Sequence, residues 1–446
     1  MSLRRVVSVV ALAFTLAGGA LPCADAAPAP PAALPPAFDA LDDVPLPDPD
    51  LWQRIRMGFT LEPMDSPLVQ EHEDWYASRP EYIKRFVDRG SLYLHHIVEQ
   101  VEKRGMPMEI ALLPVVESAF TPKAHSRAKA SGLWQFIPST GKNFGLTQDW
   151  WRDNRNDVVA ATDAALNYLQ HLHDMFGNWE LALAAYNCGE GCVSRAIAAN
   201  QKRGLPTDYL SLKLPAETRS YVPKLIAVKN IVLAPATYGI DLETVPDEPY
   251  FTAVPAPAKI DVGLAARLAG MSVEEFVALN PAHRKPVAVA PAGTLIVPLD
   301  KAEAFRANLE SYDQPLVSWT IYNAKKGEST DAIGKRYGLG GAQLRAANEP
   351  LKLDKKGRLR ASQQLLVPAA PKAAGVKVAQ ASTANASDMP AENAERPATA
   401  HWYTVRAGDT LYGIARRANT ALGTLLHLNG LTTASIVKPG LKLRLQ

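Results

Sequence analysis

The chain has 446 residues, of which 47% are hydrophobic and 21% are charged, and its formal net charge is +3. These values are ordinary for globular protein, and the length predicts roughly two to four domains. The charge is small, and the sequence contains neither a phosphate-cradling loop nor a run of basic and aromatic residues. A nucleic-acid partner is therefore not expected.

Residues 1–26 have the layout of a secretory signal peptide. Arg4 and Arg5 precede an apolar stretch over residues 6–21, and small residues up to Ala26 follow. A positive segment, an apolar segment and an A-x-A cleavage site are the parts of such a peptide. The stretch is short for a membrane span. We therefore predict cleavage after Ala26 and a location outside the cytoplasm.

Cys23 supports an alternative in which the mature protein is lipidated and held at a membrane. A lipobox has a cysteine directly after the apolar stretch, but Pro22 beside the cleaved bond fits that motif badly. If cleavage follows Ala26, Cys188 and Cys192 are the only thiols that remain.

Residues 27–50 are rich in alanine and proline and predict an extended spacer. From residue 51 to residue 240 the apolar residues recur with helical spacing, so we predict one mostly helical domain. The clearest helical patterns cover residues 91–101, 157–172, 179–186 and 220–232.

Residues 401–446 form a short module of a different kind. An alternating strand begins at Trp402, the sequence Gly-Asp-Thr at 408–410 predicts a helix cap, and a closing strand covers 441–445. Together with the Leu-x-x-Leu-Asn pattern that ends at Asn429, this segment resembles a LysM domain. The resemblance implies a βααβ fold that binds glycans containing N-acetylglucosamine.

Two further segments repeat this pattern less closely. Residues 318–368 resemble a divergent LysM domain with Gly-Glu-Ser at the cap, and residues 249–299 carry a weaker echo. The echo fits a degenerate LysM-like module or a structural spacer, and both interpretations stay open. Residues 371–400 are rich in small and polar residues and predict a flexible linker.

Glu117 is the first candidate for catalysis. Pro107 suits the first turn of a helix, and the run from Met108 to Val116 is apolar on more than one face. Glu117 is therefore expected near the C-terminal end of that helix. Apolar neighbours and the negative end of the helix dipole both raise the pKa of a carboxyl group, which keeps a proton available near neutral pH.

Three motifs occur in a fixed order: Glu117-Ser118, then Gly132–Phe136 (Gly-Leu-Trp-Gln-Phe), then Ala184–Gly191 (Ala-Ala-Tyr-Asn-Cys-Gly-Glu-Gly). In this order they resemble the family 1 lytic transglycosylases over residues 85–235. The resemblance implies an α+β multidomain protein. Its mostly helical, lysozyme-like (goose-type) catalytic domain is followed by small βααβ LysM modules. We expect a monomer in the periplasm of a Gram-negative bacterium, and attachment to the outer membrane is the alternative if Cys23 is lipidated.

The resemblance also assigns roles to residues. Glu117 matches the sole catalytic acid and base. The resemblance also implies five substrate-binding residues. Ser126 matches a serine near the N-acetyl group, and Gln135 matches a glutamine that binds the glycan. Tyr186, Asn187 and Tyr221 match polar groups near the cleaved bond. In the third motif, Asn187 is expected to begin a turn that Gly189 and Gly191 permit.

Other residues have less specific interpretations. Trp134 either shapes the sugar groove or belongs to the core. Asp157 and Asp163 are the best candidates for a second carboxylate, but their helical pattern favours capping and surface roles. Cys188 and Cys192 stand where the family has small residues, and outside the cytoplasm they could form a disulfide.

The resemblance implies a reaction with one carboxyl group and no cofactor or metal. The acetamido oxygen of N-acetylmuramic acid attacks C1 while Glu117 protonates the departing N-acetylglucosamine oxygen. The C6 hydroxyl then closes on C1 to give a 1,6-anhydromuramic end. The alternatives are a lysozyme-type hydrolase acting on the same bond and a non-catalytic wall-binding protein.

Overall fold

The computed structural model describes part of the chain. The described residues are 50–290, 293–369, 402–406, 422–431 and 440–445, with a few isolated positions between 411 and 438. The predicted signal peptide, Cys23, nearly all of the spacer and the predicted linker lie outside them. Within the described residues, no helix is long and apolar enough to cross a membrane.

Ten α-helices lie between residues 50 and 238, a range that is described throughout. They are α1 (Leu51–Met57), α2 (Pro67–Ala77), α3 (Pro80–Gly90), α4 (Leu94–Lys103), α5 (Leu113–Ser118), α6 (Pro138–Asn143), α7 (Val158–Phe176), α8 (Trp179–Cys188), α9 (Glu190–Gln201) and α10 (Ala216–Leu233). Short 3-10 helices cover Met108–Leu112, Tyr209–Ser211 and Pro235–Tyr238.

Local signals in the sequence explain the ends of the longest helices. The side chain of Asp157 accepts a hydrogen bond of 3.0 Å from the Ala160 N–H and caps α7, and Gly177, with φ of 67°, ends it. Asn178 then caps α8 through the Leu181 N–H. An oxygen side chain at the N-cap and a left-handed glycine after the last turn are the common helix boundaries.

One hydrophobic core joins nine of the ten helices, and α6 contributes no residue to it. α7 packs against α8, and α10 packs against both α2 and α8. The segment from Ile110 to Val115 is fully buried, so its backbone and side chains contact protein on every side, as expected for a helix that is apolar all round. This arrangement brings the end of α5 into the middle of the domain.

Small modules of strands and helices follow the helical domain. Their strands are β1 (Phe251–Pro255), β2 (Lys259–Asp261), β3 (Val287–Val289), β4 (Thr294–Pro298), β5 (Trp319–Ala324), β6 (Gln363–Pro368), β7 (Trp402–Thr404) and β8 (Lys442–Arg444). Their helices are α11 (Val262–Leu268), α12 (Val273–Leu279), α13 (Ala302–Glu310), α14 (Thr330–Arg336), α15 (Gly341–Asn348) and α16 (Leu422–Asn429).

The strands pair in antiparallel twos within each module. β1 pairs with β4, β2 with β3, β5 with β6, and β7 with β8. The first module continues beyond the predicted boundary at residue 299, because Phe305 of α13 is fully buried in the same hydrophobic cluster as Val254 of β1. The sequence pattern did not reveal this added helix.

The same asparagine contact closes all three modules. The Asn280 amide donates to the Ile296 carbonyl at 2.7 Å and accepts from the Ile296 N–H at 2.9 Å. Asn348 makes this pair of hydrogen bonds with β6, and Asn429 makes it with β8. The asparagine of the Leu-x-x-Leu-Asn pattern thus fastens the second helix to the last strand.

The first module also contacts the helical domain. The Tyr93 hydroxyl donates to the Ala278 carbonyl at 3.0 Å, the Asp153 N–H to the Ala282 carbonyl at 2.9 Å, and the Arg284 N–H to the Trp151 carbonyl at 2.9 Å. The end of α12 and the loop after it are therefore occupied by protein contacts.

We predict that Asn280→Ala weakens the first module by about 1–3 kcal/mol, because the substitution leaves the Ile296 N–H and carbonyl without their partner. Hydrogen exchange of the Ile296 amide should accelerate. Glu274→Ala changes an exposed residue of the same helix and serves as the control. Unchanged exchange at Ile296 in Asn280→Ala would contradict this role.

Candidate active site

The helix that carries Glu117 is shorter than the sequence predicted. The chain forms a 3-10 helix over Met108–Leu112 and changes to the α-helix α5 at Leu113. Pro114 has no N–H to donate, so it is tolerated in the first turn of a helix and not in its interior. The expected single helix from Pro107 is therefore divided in two, and Glu117 lies in the last turn of the second part.

The backbone reverses directly after this helix. Ala119 and Phe120 have φ of 48° and 53°, and Gln135 in the second motif also has φ of 48°. Residues other than glycine adopt such values at a cost of roughly 1–3 kcal/mol each, and they do so mainly at functional sites. The strain is concentrated in the two loops that flank Glu117.

A cavity of about 800 Å³ contains the side chains of interest, a volume in the range of ligand-binding clefts. All six residues that the motifs assign to the site line it. The remaining lining residues are Glu71, His72, Trp75, Val116, Ala128, Ala130, Phe136, Ile137, Thr140, Tyr168, Cys188, Gly189, Glu217, Ser220 and Lys224.

The surroundings of Glu117 favour its protonated form. Burial raises the pKa of Glu117 to about 7, opposed by a hydrogen bond from the Tyr221 hydroxyl to Oε1 and by the charge of Lys224. The nearby Glu217 raises the pKa further. Lys224 is held by its own hydrogen bond of 3.4 Å to the Val116 carbonyl. A carboxyl group with this pKa can donate a proton near neutral pH and accept one afterwards.

Ser118 connects the acid to the second motif. Its hydroxyl oxygen lies 2.9 Å from the Leu133 carbonyl oxygen and 3.3 Å from that of Pro114. The Ser118 hydroxyl is the donor to these carbonyls, so Ser118 fixes the loop of the second motif. Its neighbour Glu117 faces the cavity.

The loop of the second motif is held by partly buried polar contacts. The Gln135 amide donates to the Gly132 carbonyl at 2.7 Å and to the Ala124 carbonyl at 3.3 Å. The Ser126 hydroxyl accepts from the Ala130 N–H at 3.1 Å. Gly132 is required, since a Cβ there would lie 1.9 Å from the Arg155 carbonyl oxygen.

Trp134 belongs to the core. Its side chain is 0% exposed, and its indole N–H donates to the Thr162 hydroxyl at 3.0 Å. Of the two interpretations, the groove-shaping one is therefore wrong. The Trp134 carbonyl still serves the site, because it accepts a hydrogen bond of 2.8 Å from the Tyr186 hydroxyl.

The third motif is arranged differently from the prediction. Tyr186 and Asn187 lie in the last turn of α8, and the chain turns at Gly189 with φ of 86°. Gly191 lies inside α9 and takes no part in the turn. Asn187 does not begin the turn; its Oδ1 atom accepts a hydrogen bond of 2.7 Å from the Thr218 hydroxyl of α10.

Cys188 and Cys192 are joined by a disulfide, with 5.9 Å between their Cα atoms. The bond links the end of α8 to the start of α9 across Gly189. It therefore constrains the turn that follows Tyr186 and Asn187.

The two aspartates considered as second carboxylates lie elsewhere. Asp157 caps α7, and the Asp163 side chain is 60% exposed and pairs with Arg104. The cavity instead has Glu71 and Glu217 among its lining residues, both exposed. Sequence reasoning missed these two glutamates.

Lys224 and Ser220 were also missed, although the sequence contains a signal for them. Residues 217, 220, 221 and 224 are spaced to lie on one face of a helix, and all four line the cavity. With Tyr221 in the site, this helical spacing predicts that Glu217, Ser220 and Lys224 face the same cavity.

Comparisons with known families agree with this geometry. The Transglycosylase SLT domain family matches residues 96–206, the LysM domain family matches residues 322–368 and 403–446, and the family described as "Lytic transglycosylase MltD, LysM-like domain" matches residues 250–314. These matches define a peptidoglycan lytic transglycosylase, a carbon–oxygen lyase, with peptidoglycan-binding modules.

Individual relatives support the same family assignment. Membrane-bound lytic murein transglycosylase D of Escherichia coli (strain K12) is 36% identical over 413 residues, which cover 90% of this chain and 86% of that protein. The chain belongs to the family of that enzyme. The predicted resemblance, its α+β multidomain fold with a helical catalytic domain and LysM modules, and the enzymatic activity are thereby confirmed.

More distant relatives match a smaller part of this chain. Soluble lytic murein transglycosylase of Escherichia coli (strain K12) is 31% identical over 116 residues, or 25% of this chain and 18% of that protein. The solved structure of lytic transglycosylase Slt from Pseudomonas aeruginosa covers 34% of this chain and 26% of that chain, with 25% identity and a TM-score of 0.27.

Because burial raises the pKa of Glu117 from 4.5 to about 7, folding favours its protonated form, and the stability of the fold decreases as the pH rises between these values. Glutamine is uncharged at every pH. We therefore predict that Glu117→Gln is about 3 kcal/mol more stable than the wild type at pH 8, with little difference near pH 4.

Thermal unfolding from pH 4 to pH 8 measures this effect. Glu217→Gln, which changes an exposed carboxylate of the same cavity, should show a much smaller gain, because it removes only the repulsion that Glu217 exerts on Glu117. A stability difference between Glu117→Gln and the wild type that does not change with pH would contradict the buried, protonated state.

Proposed function

We propose that Glu117 is the sole catalytic acid and base of this lytic transglycosylase. The observation that supports the proposal is the raised pKa of a carboxyl group that burial keeps protonated inside a cleft of sufficient size. Glu117 donates its proton to the departing N-acetylglucosamine oxygen. The carboxylate that remains then accepts the proton of the C6 hydroxyl of N-acetylmuramic acid.

The sugar supplies the attacking groups. The acetamido oxygen of N-acetylmuramic acid attacks C1 and displaces the leaving sugar, and the C6 hydroxyl of the same ring then closes on C1. The bond broken is the β-1,4 bond, the product end is 1,6-anhydromuramic, and no water is consumed. An intramolecular hydroxyl reacts with a large effective concentration when the site holds the ring in the right orientation.

The other motif residues are proposed to orient the substrate. Ser126 uses its acceptor side on the Ala130 N–H, so its hydroxyl hydrogen is available for the N-acetyl group. Gln135 presents its amide oxygen, and Tyr221 stabilises the carboxylate form of Glu117 during the second step. Tyr186 and Asn187 line the cleft from α8.

The modules are proposed to hold the enzyme on its polymer. The two LysM domains bind N-acetylglucosamine residues of glycan strands, and linked weak sites raise the residence time on a polymeric substrate. The first module acts as a spacer, because the end of α12 and the following loop contact the helical domain.

We further propose that the mature enzyme is a monomer in the periplasm of a Gram-negative bacterium, released by cleavage after Ala26. Lipidation at Cys23, with attachment to the outer membrane, is the alternative. Mass analysis of the mature N-terminus distinguishes these two forms.

We predict that Glu117→Gln lowers the rate of peptidoglycan lysis by a factor of roughly 10²–10⁴, the usual contribution of a general acid and base. Binding to sacculi should be retained, since the modules are unchanged. Asp163→Asn replaces a carboxylate outside the cleft and should remain fully active. Undiminished lysis by Glu117→Gln would contradict the assignment.

Mass spectrometry of the wild-type digest tests the reaction type. Anhydromuramic products lack one water relative to the reducing ends that a hydrolase of the lysozyme type releases. Products with reducing ends alone would support the hydrolase instead.

A second prediction concerns Tyr221. Its hydroxyl stabilises the carboxylate of Glu117 and so lowers that pKa. In Tyr221→Phe the pKa of Glu117 should rise, and the decline in activity on the alkaline side should move upward by about one pH unit. The pH profile of kcat/KM measures this shift, with Tyr209→Phe as a control outside the cleft. A shift to lower pH would be inconsistent with a donated hydrogen bond.

A further inference from the structure

One wall of the cleft comes from α2, which precedes the part of the chain matched by the SLT domain family at 96–206. Glu71, His72 and Trp75 of this helix line the same cavity as Glu117. Trp75 follows His72 by three residues and Glu71 by four, which places the three on one helical face. No motif of the sequence analysis includes them.

Buried contacts on other faces of α2 fix its orientation. The Glu73 carboxylate accepts hydrogen bonds from the Asn230 amide at 2.7 Å and from the Tyr238 hydroxyl at 2.9 Å. A hydrogen bond of 2.6 Å also joins the His72 ring to the Ser220 hydroxyl. Both α2 and the His72 side chain are therefore held against α10.

Trp75 is exposed but firmly held. It is 38% exposed and lines the cavity, yet its ring makes edge contacts with the rings of Tyr76 and Tyr82 at centroid distances of 5.0 and 5.1 Å. The Arg79 guanidinium lies over one face of the ring, 4.5 Å from the ring centroid. An immobilised aromatic ring loses little conformational entropy when it binds a ligand.

Such a ring suits one particular class of ligand. An aromatic face carries negative charge density, and the apolar face of a pyranose presents C–H groups with partial positive charge. Glu71 adds two carboxylate oxygens four residues earlier on the helix, and these accept hydrogen bonds from sugar hydroxyl or acetamido groups. An aromatic ring beside a hydrogen-bond acceptor thus provides both contacts that a sugar residue requires.

We propose that Trp75 and Glu71 form a sugar subsite for a residue of the glycan strand away from the bond that Glu117 cleaves. The proposal rests on the function proposed above only for its choice of ligand, a glycan strand. No hydrogen bond or ion pair within the described part of the chain joins these α2 side chains to Glu117. The subsite therefore contributes binding energy, not proton transfer, and selects longer strands.

The test is the cleavage of peptidoglycan glycan fragments of increasing length by the full chain. For fragments long enough to reach α2, Trp75→Ala should raise KM by about tenfold with kcat unchanged, as expected when uniform binding is lost. For the shortest fragment that is cleaved, KM should not change. Trp75→Tyr keeps an aromatic face and should restore most of the affinity.

Two further variants make the result specific. Glu71→Gln leaves the buried contacts of α2 intact and should raise KM for the long fragments in the same direction. Trp150→Ala removes a tryptophan outside the cavity lining and should behave like the wild type. Melting temperatures confirm that the variants are folded.

An equal loss of kcat at every fragment length, or no change in KM at any length for both Trp75→Ala and Glu71→Gln, would overturn the subsite. Either result leaves the role of Glu117 intact. Conversely, an active Glu117→Gln would overturn the proposed acid, while the dependence of KM on fragment length would still test α2.

Discussion

The partial burial of one carboxyl group is the constraint on which the catalytic domain depends. Glu117 ends a segment whose apolar residues are buried on every side, and burial raises its pKa to about 7. Tyr221 and Lys224 oppose this effect from α10. Without burial the group would be ionised at neutral pH, and without its polar partners it would bind its proton too tightly to return to the carboxylate form.

The loops around this carboxyl group store strain that the core offsets. Ala119, Phe120 and Gln135 adopt left-handed backbone conformations, each at a cost that an isolated loop would not sustain. The buried Arg155 donates to the Lys129 and Phe136 carbonyls at 2.7 and 3.0 Å and so holds the second of these loops. A rigid site is the consequence, with its donors and acceptors already oriented before a sugar binds.

The three modules share one small fold but differ in their contacts with the rest of the chain. An asparagine fastens the last strand in each of the three, so their internal framework is the same. The first differs by an added helix and by its contacts with the helical domain. The end of α12 and the loop after it contact the helical domain in the first module, and this difference supports the proposed spacer role.

The sequence alone determined the enzyme class, because three ordered motifs and the LysM pattern are local features that a single chain displays in full. It also determined the long helices, whose caps at Asp157 and Asn178 depend on neighbouring residues only. Tertiary structure decided the placement of Trp134 in the core, the two-part helix before Glu117, and the entry of α2 and Lys224 into the cleft. These outcomes depend on packing between segments distant in sequence, and neither periodicity nor motif spacing encodes which helix faces meet across a cavity.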